Sequence, residues 1–176
     1  MTIPHTVSIG DIPVSAWANG RGETVELARQ PATGPFAWRL SMATISEAAP
    51  FSSLPGVARV LLAVDAPLTL TIDGETHKLA RHGTASFSGG QEAAASAPAA
   101  PQRDLNLMVR GSGLPTLEVV TVDGRIETPP IVVAVVVLEG EVTALGQRLV
   151  PGDTVVTVGG AVALRGRGVV AFASIR

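Results

Sequence analysis

Glycine or proline interrupts this chain nearly every dozen residues. No helical repeat is sustained between the interruptions. What remains is a series of short stretches with the period of two of a β-strand, and that spacing of strands and turns is the pattern of an all-β sandwich or barrel. With 176 residues and 46% hydrophobic content the chain can bury a substantial core, as one domain or as two small fused halves.

The stretch from Phe36 to Val64 organises the rest. Phe36, Trp38, Leu40 and Met42 alternate with Ala37, Arg39, Ser41 and Ala43. One face is large and apolar, and the other carries a guanidinium beside a hydroxyl. A turn-rich linker, Pro50 to Gly56, leads to a second strand that begins at Ala58 with Arg59 at its mouth. Two arginines at two strand entrances, with Ser52 and Ser53 between them, describe a site for something small and anionic.

Further strands are expected at Thr6–Ile9, Thr24–Arg29, Val60–Val64, Leu68–Ile72, Glu75–Ala80 and Thr84–Phe87, with a hairpin turn at Asp73-Gly74. Ser88–Arg103 is rich in Ala, Ser and Pro and reads as a loop with a weak strand at Ala93–Ala97. In Asp104–Arg110, Leu105, Leu107 and Val109 share one face, and Asn106, Met108 and Arg110 share the other. The last third reads as seven short strands, at Thr116–Val122, Ile131–Leu138, Glu141–Leu145, Gln147–Val150, Asp153–Val158, Ala161–Arg165 and Val169–Ser174. Val133–Val137 is continuously apolar, so both of its faces should be covered. A weak internal echo aligns Leu79–Gly83 with Leu149–Gly152, as expected of two similar β-modules.

A net charge of −2 and a single lysine, Lys78, give no electrostatic footprint for nucleic acid. The absence of cysteine excludes disulfides and thiolate chemistry. The longest apolar run, Ile131–Leu138, is too short to span a bilayer, and the first thirty residues hold no signal-type run, so a cytoplasmic protein with no membrane partner is expected. His5, His77 and His82 lack metal-ligand spacing, and His77 and His82 read as exposed turn residues. No serine-hydrolase elbow occurs, and no catalytic residue, metal or cofactor is assigned.

Leu138-Glu139-Gly140-Glu141-Val142 followed by Leu149-Val150-Pro151-Gly152-Asp153 resembles the cupin hairpin and turn, without the histidines of metal-binding cupins. Over roughly residues 15 to 120, five blocks in order resemble the HutD/Ves family. They are Trp17-x-Asn19-Gly20-x-Gly22-x-Thr24, Trp38-Arg39-Leu40-Ser41, Pro50-Phe51-Ser52, Pro55-Gly56 with Arg59, and Asp104-Leu105-Asn106-Leu107-Met108. The resemblance implies a bicupin, two stacked jelly-roll-like antiparallel barrels in one chain. The N-terminal barrel, about residues 1–115, would hold the pocket, and the C-terminal barrel, about 116–176, would be scaffold. It also implies a role in histidine utilisation through binding an acidic metabolite, a carboxylate such as formylglutamate or formate. Arg21 stands where the family has glycine, and Ala48-Ala49 where it has an acidic residue and glycine.

The candidate ligand-binding residues are therefore Asn19, Thr24, Trp38, Arg39, Ser41, Phe51, Ser52, Arg59 and Asn106. The arginines would neutralise the anion, the planar fork suiting a carboxylate better than an ammonium does. Structural readings stand beside these roles. Arg39 could be a solvent-facing strand residue, Arg59 could pair with Asp65 or Glu47, and Asn19 could serve the turn alone. Two other functions fit the same sequence, a metal-independent isomerase or lyase and a protein-interaction module forming a homodimer. The enzyme would need a titratable carboxylate near Arg39.

Overall fold

The computed structural model describes residues 3–176, and no α-helix occurs among them. Sixteen strands carry the fold: β1 His5–Val7, β2 Ser15–Ala16, β3 Gly22–Gln30, β4 Trp38–Ile45, β5 Ala49–Pro50, β6 Val57–Ala63, β7 Leu68–Ile72 and β8 Glu75–Leu79; then β9 Thr84–Ser88, β10 Ala93–Ala95, β11 Gln102–Arg110, β12 Pro115–Glu127, β13 Val132–Ala144, β14 Gln147–Leu149, β15 Thr154–Val156 and β16 Ala163–Ile175. The strands form three sheets whose hydrogen-bonded paths are open, so the expected closed barrels are not formed by strand pairing among the described residues. Among the described residues no helix is long and apolar enough to cross a membrane.

The chain divides into two compact units. Pro13–Pro115 is one, and Thr116–Arg176 with the described part of the first twelve residues is the other. The first unit has a six-stranded sheet, in the order β2-β3-β4-β11-β6-β9, and a four-stranded sheet, in the order β5-β10-β7-β8. Ile45, Leu61, Ala63 and Phe87 of the larger sheet pack with Leu68, Leu70, Ile72, Leu79, Ala93 and Ala95 of the smaller in one apolar cluster. The weak strand expected at Ala93–Ala97 is present as a three-residue inner strand, Ala93–Ala95. Its small side chains suit close packing between β5 and β7. The apolar alternation of β4 and β11 is confirmed, and Leu40, Leu105 and Leu107 are completely buried.

The second unit is one sheet, in the order β1-β15-β13-β16-β12 with β14 pairing β13, around a Val- and Leu-rich cluster. Val133–Val137 is covered on both faces as expected, with only Val133 half-exposed. Ile131–Leu138 and Glu141–Leu145 prove to be one thirteen-residue strand, and so do Ala161–Arg165 and Val169–Ser174. The reason is the glycines. Gly140 and Gly168 are cross-strand partners, and a Cβ on Gly140 would lie 2.5 Å from the Arg167 carbonyl oxygen. These residues permit close strand approach at a bulge rather than reversing the chain. Gly140 also has φ +71°. Gly140→Ala should therefore lose about 1–3 kcal/mol by chemical denaturation, from backbone strain and the steric clash. An unchanged midpoint would show that the strands part freely.

The internal echo is real in hydrogen bonding. The β7–β8 hairpin turns at Asp73-Gly74, and the β13–β14 hairpin turns at Leu145-Gly146, all four with positive φ. After each hairpin the chain bonds back to an equivalent strand position. The His82 N–H donates to the Ala63 carbonyl and the Ala63 N–H to Gly83, while the Gly152 N–H donates to Val137 and the Val137 N–H to Asp153. His82 therefore corresponds to Gly152 and occupies the left-handed region itself. His77 and His82 are half-buried, not exposed.

Candidate functional site

The register of the six-stranded sheet builds a polar patch on one face, row by row. Arg39 of β4 pairs with Met108 of β11, which pairs with Arg59 of β6. The next row on that face is Ser41, Asn106 and Leu61, and the one after it is Ala43, Asp104 and Ala63. Since side chains alternate, these residues share the face that elsewhere joins the apolar core. A cavity of about 410 Å³ opens over them. Its walls also include Trp17, Asn19, Thr24, Phe51, Ser52 and Leu54.

Arg59 is 4% exposed. Its guanidinium carbon lies 5.3 Å from the Phe51 ring centroid and 4.9 Å from that of Phe87, so two aromatic faces flank the charge. Nε donates to Asn106 Oδ1 at 3.5 Å, and Nη1 to the Ser52 carbonyl at 3.3 Å. Burial pushes its pKa down to about 10, with Asp104 opposing and the Arg39 charge adding to the shift, so it remains a cation at neutral pH. Neither structural pairing considered for it is present. Among the described residues no ion pair reaches Arg59 within bonding distance, and Asp65 is held instead by Arg103 at 2.6 Å. The bond from Arg103 keeps the Asp65 carboxyl below its usual value.

Arg39 also lines the cavity but is partly exposed, with Nε 3.0 Å from Glu26 Oε2, an ion pair without hydrogen-bond alignment. Ser41 and Asn106 are buried in the cavity wall. Thr24 serves the wall indirectly, its hydroxyl accepting a 2.7 Å bond from the Trp17 indole. Asn19 borders the cavity, and its side chain accepts from the Arg21 N–H, the local turn bond that explains Asn-Gly here. Trp38 is the exception. It lies on the opposite face of β4 and is absent from the cavity lining, where Trp17 stands instead. The Arg21 guanidinium donates to the Ala48 carbonyl at 3.1 Å, joining two positions singled out in the sequence.

The residue missed from sequence is Asp104. It is fully buried in the cavity wall, and no hydrogen bond of ordinary geometry reaches either carboxylate oxygen. Burial raises its pKa to about 7, against the opposing Arg59 charge and the nearby Asn106 side chain. The signal was present, since Asp104 is two residues from Asn106 and must share its face. Among the described residues no cluster of His, Asp and Glu could hold a metal ion.

A family model described as HutD matches residues 10–172. The protein Ves of Citrobacter koseri is 37% identical over 106 residues, which is 58% of this chain and 56% of that protein, so the match spans little more than half of the curated relative's length. HutD from Pseudomonas fluorescens, in a structure described as a formate condition, is 30% identical, with a TM-score of 0.80 over 98% of this chain and 99% of that one. A cupin 2 conserved barrel domain protein from Leptotrichia buccalis shares the fold at 9% identity, with a TM-score of 0.62 over 100% of this chain and 98% of that one.

Proposed function

Because the chain belongs to the HutD family, we propose that it binds a small carboxylate metabolite without a metal, in a regulatory or accessory role in histidine or other amino-acid catabolism. In this reading each unit is a cupin module, the pair forms a bicupin, and the pocket belongs to residues 13–115. The observation that carries the reading is Arg59, a buried cation beside an open cavity with no carboxylate in bonding contact among the described residues. A guanidinium so placed gains from an anion that replaces lost hydration. Arg39 adds a second cation once it leaves Glu26, and Ser41, Ser52 and Asn106 supply directional bonds. Calorimetry with formylglutamate, glutamate, urocanate and formate tests this. Binding of at least one below millimolar is expected, and no heat with any of the four rejects the reading.

A second reading, a metal-independent isomerase or lyase, is favoured by Asp104, a buried carboxyl with a pKa of about 7 close to Arg59. It predicts ligand proton exchange with solvent deuterium, lost in Asp104→Asn. Binding without exchange leaves the first reading alone.

A further inference from the structure

We propose that the cavity selects a two-ended ligand, a small carboxylate that also carries an N–H donor, with the anion met by Arg59 and Arg39 and the N–H received by Asp104. The proposal rests on the carboxylate-binding reading above and adds the requirement at the other end.

The geometry comes first. Asp104 has no solvent exposure and lines the cavity; the Asn106 side chain lies near its carboxylate, but among the described residues no hydrogen bond of ordinary geometry reaches either oxygen. Buried polar atoms are nearly always bonded, so an unbonded pair in a cavity wall is an acceptor waiting for a donor. Its flanking partners in the sheet, Ala43 and Ala63, have no polar side-chain atoms to offer. Small residues on both sides also leave room above the carboxylate. Asp104 lies two rows along β11 from Met108, the centre of the arginine row, a backbone distance of about 13 Å that the long Arg59 side chain shortens by reaching Asn106. One small molecule can therefore touch both ends.

Charge separates this ligand from a plain anion. The charges facing Asp104 are Arg59 from β6 and, beyond it, Arg39 from β4, itself paired with Glu26 of β3. The Trp17–Asn19 and Pro50–Leu54 segments carry no titratable side chain, and the cluster residues of the smaller sheet, Leu68, Leu70 and Ile72, are apolar. A plain carboxylate adds a negative charge beside Asp104, so it binds best when Asp104 is protonated. Either form of Asp104 can accept a ligand N–H, the ionised form more strongly, and an ammonium gains a charge pair with the carboxylate as well. With the carboxyl raised to about 7, a plain dianion should weaken as the pH rises, and a ligand with an N–H should weaken less or, as an ammonium, strengthen.

The test is calorimetry from pH 6 to 8 with glutarate, glutamate and N-formylglutamate, which share a five-carbon diacid and differ at the nitrogen. The proposal expects an N–H ligand to exceed glutarate about tenfold or more at pH 8, with that preference growing as the pH rises. Glutamate against N-formylglutamate tells an ammonium from an amide. In Asp104→Asn the preference should shrink to about threefold or less, with its pH dependence gone. Equal binding of all three overturns the Asp104 role while the arginine reading survives. Failure of all three overturns both.

Discussion

Arg59→Met should weaken carboxylate binding by two to three orders of magnitude, the range expected when one partner of a buried charged contact is truncated. Methionine suits the position because it is unbranched and can lie between the Phe51 and Phe87 rings that now flank the guanidinium. The packing is kept while the charge is removed. The same change withdraws the cation that opposes the raised pKa of Asp104. That carboxyl should then stay protonated to higher pH. The variant should fold as the parent does at pH 6 and lose stability above neutrality, where ionising Asp104 no longer has a nearby compensating charge. Titration calorimetry and thermal melts at pH 6 and pH 9 check both halves. Affinity within threefold of the parent would place the anion elsewhere. Arg39→Met should cost less, about tenfold, because Arg39 is partly hydrated and already engaged by Glu26.

Asp104→Asn should make the protein more stable at pH 8 and leave it little changed near pH 4. The folded pKa of Asp104, about 7, lies above the ordinary value of 3.8. The folded state therefore holds this proton more tightly than the unfolded state does. Its contribution is fully present below pH 4, fades as the pH rises, and is gone above about pH 7. Three units correspond to about 4 kcal/mol across that window. An amide has no charge to desolvate, so the variant should not show this loss. Its advantage should grow between pH 4 and 7 and level off at up to about 4 kcal/mol. Urea denaturation of both proteins at pH 4, 6 and 8 measures it. Parallel pH profiles would mean that Asp104 ionises without penalty, and that water or a donor reaches it.

The all-β class was legible because alternation and turn residues report directly on backbone geometry. Leu40 and Leu107, or Asp73-Gly74, needed no distant partner to be read correctly. The site residues on β4, β6 and β11 were legible one strand at a time, but their neighbours were not. Register sets Arg39, Met108 and Arg59 side by side, and register is a relation between strands remote in sequence. Glu26 as the partner of Arg39, and Arg103 as the partner of Asp65, were invisible for the same reason. Trp38 was misassigned on a block resemblance although its alternation with Arg39 already put it on the other face. Asp104 was overlooked although alternation with Asn106 implied its side. The long β13 and β16 were divided because a glycine that admits a neighbouring backbone looks, in one dimension, like a glycine that turns the chain.

The bond from the Trp17 indole to the Thr24 hydroxyl fixes one of only two tryptophans at the rim of the cavity. Trp38 looks away from it. The protein thus carries its own optical reporter: quenching or a spectral shift as a guest arrives arises at one ring against a constant background from the other, and affinities for unlabelled metabolites can be read from intrinsic emission alone.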